Sequence, residues 1–533
     1  MIGVIANQLE HPVVREFFEL FKTPWEFYRS GRPYDVLLLN GDARLEENDA
    51  ELVLLYAGEQ MPFDAEESIV IKAQGKHAQM LSYRERRIPI YGNCVTFREG
   101  SAIVVDEQSR RPAMRTHRAR VTTVIRLGYD LFSEIRTLLT EGQPADNADI
   151  PALELHIALL RDLITTSGIA LVEIPPVPDG YRFIACLTHD IDHPSVRRHK
   201  FDHTMLGFLY RASIGSLRNL IRRRISVRTL VRTWLAALKL PLVHLGLAKD
   251  FWTEFDRYVE LDPGSKSTFF VIPFEDRPGE AGEGPAPIAR AARYGAADVS
   301  TQIRKLMSAG CEIGLHGIDA WLDARSGRAE LEEIRRTSGL QDIGVRMHWL
   351  YFGEQSPAAL DQAGATYDST IGYNETIGYR AGTAQVFKPF GATRLLELPL
   401  HVMDTALFFP SHLDLSPTEA SKRVTRIIDN AVQFGGCVTV NWHDRSTAPE
   451  RCWGDFYMNL VGELKRAGAW FATAGEAVAW FRKRRAVTFD ESSADGDVPL
   501  ITMSSGADEI PGLQLRAYEG RPITLDHVFD CRV

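Results

Sequence analysis

The stretch Phe183-Ile184-Ala185-Cys186-Leu187-Thr188-His189-Asp190-Ile191-Asp192-His193 governs the reading of this chain. An unbroken apolar run, preceded by the turn-forming Pro178-Asp179-Gly180, predicts a strand. The strand ends in polar residues. Asp190 and Asp192 are two apart, so on an extended chain both carboxylates share a face. One of them can bind a metal while the other handles a proton. The bland alternative for the pair is a turn or helix cap, since Asp192 precedes His193-Pro194.

Downstream the same plan repeats. Ser267–Ile272 reads as a strand, Glu275–Ala292 as a mobile Gly- and Pro-rich loop, and Val299–Ala309 as a helix. Gly310–His316 is a strand that ends in an imidazole. Further candidates are Val345–Phe352, Leu395–Leu400 and Cys437–Trp442, and an amphipathic helix over Ala469–Arg485 closes the region. Strands alternating with helices predict a parallel α/β barrel, whose strand C-termini face the active site. The residues at those ends suit metal-assisted hydrolysis: Asp190 and Asp192, then His316, then Arg346 with His348, then His443 with Asp444 and Arg445.

In order and type these motifs resemble the polysaccharide-deacetylase family, the nodulation-factor and peptidoglycan deacetylases of carbohydrate esterase family 4. The likeness rests on an aspartate pair, the strand Ser267-Thr268-Phe269-Phe270-Val271, the motif Glu312-Ile313-Gly314-Leu315-His316, an arginine at 346 and a late strand ending at His443. It spans about Arg182 to Arg485, and within the family it is similar to a bacterial subgroup with an additional N-terminal domain. The resemblance implies a distorted (β/α) barrel acting as a carbohydrate deacetylase. It implies Asp190 as base, Asp192 and His316 as metal ligands, Arg346 as the residue orienting the base, and His443 as general acid. The family's second metal histidine falls four residues after the first, where this chain has Ala320. Asp319 and His348 are the candidates to replace it, each weighed against a scaffold role. The expected cofactor is a divalent ion, zinc in the first instance. Trp321, Trp349, Tyr351 and Trp442 are candidate sugar platforms, or else core residues. Arg380 and Arg445 are lower-ranked substrate contacts.

The rest of the 533-residue chain is less explicit. Residues 1–175 read as a smaller α/β domain of unknown role. It has strand candidates at Ile2–Ala6, Tyr34–Leu39, Glu51–Tyr56, Ile88–Ile90 and Ala102–Val105, and a helical pattern from Val121 to about Gly168. No nucleotide-binding glycine motif follows any of these strands. The barrel region is placed at 176–485, and 486–533 is expected to be a tail or a small β appendage. Within the barrel region, 195–249 carries twelve Arg and Lys against one acidic residue, Asp202, interleaved with Leu, Ile, Val and Trp. Such a stretch is either a membrane-surface element or the solvated face of an inserted helical pair.

The net charge of -9 argues against a nucleic-acid partner. The six cysteines form no CxxC pair and read as reduced, and no run approaches a spanning helix. The expected location is cytoplasmic, at most peripheral to the inner membrane face. The partner is a glycan or lipid-linked glycan; oligomeric state is open. Two alternatives stand beside the deacetylase: a catalytically inactive glycan-binding protein of polysaccharide assembly, prompted by Ala320, and a barrel hydrolase of non-sugar amides.

Overall fold

The computed structural model describes residues 1–41, 50–75, 79–119, 122–252, 257–261, 266–489, 501–502, 510–519 and 529–532. The chain divides into two compact units. One comprises Met1–Gly180, Ala381–Thr383 and Trp480–Val533, and the other Tyr181–Arg380 and Ala384–Ala479.

In the first unit, five strands lie parallel in the order Thr122–Leu127, Leu52–Tyr56, Val36–Asn40, Ile2–Ile5, Trp25–Phe27, and Met114–Ala119 adds an antiparallel edge. The helical pattern expected from Val121 therefore begins only at Leu131; Val121 itself lies outside the described residues. Thr122–Leu127 is β-branched and apolar, and it pairs along its length with Leu52–Tyr56, so sheet pairing overrides the weak helical periodicity. Most of 486–533 lies outside the described residues. Its strand Gln514–Tyr518 pairs antiparallel with Leu171–Glu173, which puts this part of the tail in the first unit. The change of unit falls at Ala479, before the expected 485. The last helical turn explains it: Arg484 donates to the carbonyls of Glu19, Leu20 and Ile174, and Arg485 pairs with Glu16.

The second unit holds the predicted barrel. Its strands are β1 (Phe183–Ile191), β2 (Ser267–Val271), β3 (Glu312–Gly317), β4 (Val345–Met347), β5 (Tyr367–Asp368), β6 (Leu396–Glu397), β7 (Val402–Met403), β8 (Cys437–Asn441) and β9 (Ala469–Phe471). Their order is β6-β5-β4-β3-β2-β1-β8-β7, all parallel, with β9 also on β1. No pair joins β6 to β7 among the described residues, so the barrel is open there. All nine residues of β1 are buried, as a central parallel strand requires. Phe183, Ala185, Leu187 and Ile191 join the apolar core, whereas Thr188 and Asp190, on the other face, enter a polar network.

The structure departs from expectation at three places, the first being the strand expected over Val345–Phe352, which stops at Met347 where the 3-10 turn His348–Leu350 begins. Ala469–Phe471 is a strand, and the closing helix starts at Ala474. The Gly- and Pro-rich loop is tied down rather than loose. Its Arg290, 1% exposed, donates to the carbonyls of Pro278, Ile318 and His348, a hub that fixes the segment against β3 and β4.

A close approach sets the distance between β2 and β3. A Cβ on Gly314 would lie 2.6 Å from the Phe270 ring, and the same ring carries the Arg346 guanidinium 4.6 Å from its centroid. Gly314→Ala is expected to cost about 1–3 kcal/mol through overpacking. Chemical denaturation should show a lower midpoint at unchanged slope.

Candidate metal centre and catalytic cavity

The C-terminal ends of β1, β3, β4 and β8 converge on a cavity of about 540 Å³. Asp190, Asp192, His316, His348 and His443 line it. Asp192, His316 and His348 each offer a ligand atom within 4.8 Å of the others. Asp192 Oδ1 lies 3.3 Å from His316 Nε2 and 3.4 Å from His348 Nδ1. The two imidazole nitrogens are 3.0 Å apart.

The far nitrogen of each ring fixes its tautomer. His316 Nδ1 faces the Arg346 carbonyl at 3.0 Å, and His348 Nε2 faces the Arg290 carbonyl at 3.0 Å. A carbonyl only accepts, so these nitrogens carry the protons. The neutral rings then aim bare lone pairs at each other and at Asp192. Burial keeps His348 neutral, pulling its pKa down to about 3. Asp192 Oδ1 is buried and has no hydrogen-bond partner. Three converging lone-pair donors with one orphaned oxygen fit a divalent cation, and the carbonyls behind the rings orient them as ligands.

Asp190 sits beside this set, with His316 Nε2 3.9 Å from its Oδ2. Arg346 Nη1 donates to Asp190 Oδ1 at 3.1 Å, and Asn441 Nδ2 donates to Oδ2 at 2.7 Å. Burial opposes the charge of Asp190; the Arg346 guanidinium and the His443 imidazolium favour it, and the pKa is lowered. Arg346 is fully buried and also donates to Thr188 Oγ1 (2.6 Å), the Ser369 carbonyl (2.9 Å) and Ser369 Oγ (2.8 Å). His443 lies on the other flank of Asp192, its Nε2 3.8 Å from Oδ2. Its Nδ1 is held by Asp404 Oδ1 at 2.6 Å, and Asp404 Oδ2 accepts the His443 backbone N–H at 2.8 Å. Burial disfavours the imidazolium, yet Asp404, helped by Asp192 and Asp190, raises the pKa to about 9.

Other predicted residues fall elsewhere. Asp319 is not part of the ligand set: its carboxylate accepts the Glu280 backbone N–H at 2.8 Å, which fastens the 275–292 loop. His348, directly after β4, is the third member of the set, whereas Ala320, after β3, is a buried core residue with no ligand atom to offer. Trp442 is fully buried, stacked on Phe456 with centroids 5.9 Å apart, and Trp321 is 6% exposed; both are core. Trp349, 41% exposed, and Tyr351 do line the cavity. Trp349 and Leu350 both have left-handed backbones, φ 61° and 54°, a strained turn directly after His348. Arg445 lines the cavity, whereas Arg380 is not among its lining residues and lies over the Tyr373 ring at 5.6 Å. Asn441, Asp404 and the Arg290 carbonyl complete the site beyond the strand-end residues singled out in the sequence, where a backbone carbonyl leaves no signal.

The site therefore defines a parallel α/β barrel with a two-histidine, one-aspartate centre between an Asp–Arg pair and an Asp–His pair. No protein-family model matches the chain, and no curated protein matches it. Solved structures similar to it include a protein assigned as a polysaccharide deacetylase from Mycobacterium smegmatis, 19% identical over 58% of this chain and 95% of that one, with a TM-score of 0.36. The Xyl-CE4 domain of a multidomain xylanase from the hindgut metagenome of Trinervitermes trinervoides is 14% identical over 56% and 90%, TM-score 0.23. A family 4 acetyl xylan esterase from Clostridium thermocellum, solved with a cobalt ion, is 14% identical over 56% and 91%, TM-score 0.23. The fold is read here from the strand order, and the chemistry from the residues.

Two outcomes are expected. Elemental analysis should find about one divalent ion per chain, lost in His316→Ala and His348→Ala and retained in Asp319→Ala. NMR titration of His443 in the metal-stripped chain should give a midpoint near 9, which Asp404→Asn moves down toward the ordinary histidine value by removing the charge that favours the imidazolium.

Proposed function

We propose that this chain is a metal-dependent hydrolase that removes an acyl group, N-acetyl in the first instance, from a sugar or polysaccharide. The observation that carries this reading is the Asp192–His316–His348 set flanked by Asp190 and His443, each within 3.9 Å of a ligand residue. A divalent ion held there, with zinc the best match to two imidazoles and one carboxylate, supplies Lewis acidity toward the acyl carbonyl and water.

The side chains do the rest. Asp190, fixed by Arg346 and Asn441, takes the proton of the attacking water. Asp404 accepts the Nδ1–H of His443 and favours its protonated form, so Nε2–H can protonate the departing amine or alkoxide. Trp349 offers an exposed ring face at the cavity wall for a sugar, with Tyr351 beside it, partly buried under the Arg290 guanidinium. The alternative of an inactive glycan-binding protein was motivated by Ala320. A third ligand from His348 removes that motive.

The test is acetate release from N-acetylated sugar oligomers by zinc-loaded protein. Asp190→Asn should keep the metal and lose about 10²–10⁴-fold in kcat. Hydrolysis of small amides with none of acetylated sugars would overturn the carbohydrate part. No metal uptake after reconstitution would overturn the whole reading.

A further inference from the structure

Three arginines share the catalytic cavity without a mechanistic duty. Arg211 comes from the basic insertion, and Arg445 and Arg451 from the segment after β8. Arg451 is 6% exposed, and its Nε and Nη1 are buried with no hydrogen-bond partner. Arg211 Nε is also buried and unpartnered. None of the three makes an ion pair among the described residues. The nearby carboxylates are largely committed: Asp404 to His443 and Ser446, Asp444 to the backbone of His193 and Arg445, and one oxygen of Glu450 to Trp252 Nε1. That leaves the three guanidinium groups facing Asp444, which burial biases toward its neutral form, and Glu450, whose second oxygen is buried without a hydrogen-bond partner.

The fold builds this crowd of like charges. The Arg451 guanidinium lies over the rings of Phe409 (4.8 Å) and Trp453 (4.9 Å), and that of Arg445 over Trp252 (5.3 Å). Arg211 opens a π-helical turn, Arg211–Gly215, that interrupts a helix, a distortion frequent at functional sites. Its guanidinium runs back over Gly207, where a Cβ would come within 3.0 Å of Nη1. Burial, then Arg445, depresses the pKa of Arg211 to about 10, so the cluster carries an uncompensated cost without an anion.

The insertion that delivers Arg211 has a second property. Its helices α1 (His203–Tyr210) and α2 (Val227–His244) leave large apolar side chains in solvent. Fourteen of the twenty-one exposed large hydrophobic residues among the described ones lie between Phe201 and Leu247, including Leu206, Ile214, Ile221, Val231, Leu235 and Leu238. Soluble surfaces rarely concentrate apolar side chains this way. Exposed Arg218, Arg222, Arg223, Arg228 and Arg232 alternate with them, the composition that suits an anionic bilayer. No helix among the described residues is long and apolar enough to cross a membrane.

We propose that Arg211, Arg445 and Arg451 form a phosphoryl-binding subsite, and that the substrate is an acylated sugar joined through phosphate or diphosphate to a lipid in an anionic membrane on which α1 and α2 dock. The anion site stands on its own; the reaction at the acyl group rests on the hydrolase reading above.

The test is calorimetric titration of inorganic pyrophosphate into the full-length His316→Ala chain, whose broken ligand set removes metal as a competing anion site. Binding is expected, weakened about tenfold or more by Arg211→Gln and by Arg445→Gln. Arg211 and Arg445 are only partly buried, so these variants avoid the folding risk of replacing Arg451. No binding, or equal binding by the variants, overturns the subsite. Arginine-dependent binding with no acetate release from any acylated sugar would leave the subsite standing and sink the hydrolase reading instead. For the carrier, the wild-type chain should float with phosphatidylglycerol vesicles and not with phosphatidylcholine, and Leu235→Glu with Leu238→Glu should abolish flotation. Absence of flotation, with pyrophosphate displaced by a soluble nucleoside diphosphate sugar, would overturn the lipid carrier.

Discussion

The buried guanidinium of Arg346 is the constraint around which the site is assembled. A charge inside a barrel persists only if every donor finds an acceptor and the charge finds a counterion. Arg346 finds Asp190 and Thr188 on β1 and Ser369 after β5, with the Phe270 ring from β2 against its face. One side chain thereby fixes the spacing of four strand ends. Its own carbonyl holds the His316 ring in the tautomer that points Nε2 at Asp192. Disturbing Arg346 would release Asp190 and a candidate metal ligand together.

The cavity is electrostatically divided. Around Asp192 the donors are lone pairs in want of a cation, and around Arg211, Arg445 and Arg451 they are N–H groups in want of an anion. Such opposition within one pocket suits a ligand with an electron-rich carbonyl at one end and a stronger anion at the other. A glycan without an anionic group would use only the first half.

The Gly- and Pro-rich segment 275–292 shows why loop composition is a poor guide to order. Its residues carry every compositional mark of mobility, yet Arg290 is buried and bonded to three carbonyls, and the Arg290 carbonyl in turn holds His348. A backbone group that positions a candidate ligand ring can come from any residue type, so nothing in the composition announces it.

By itself the sequence determined the parallel α/β barrel, through apolar strands spaced between helices, and the residues at the strand ends: Asp190, Asp192, His316, Arg346 and His443. These were legible because strand periodicity fixes which side chains share a face and because each lies at the end of its own apolar run. Only the tertiary structure chose His348 over Asp319 as the third member of the ligand set, since the choice depends on the register His316↔Arg346 between neighbouring strands. It also sent Trp321 and Trp442 to the core, paired Asp404 with His443, and brought Arg211 across more than two hundred residues to Arg445 and Arg451. Local pattern constrains neighbours along the chain, whereas charge pairing, desolvation and ring packing act between residues that only the closed barrel brings together.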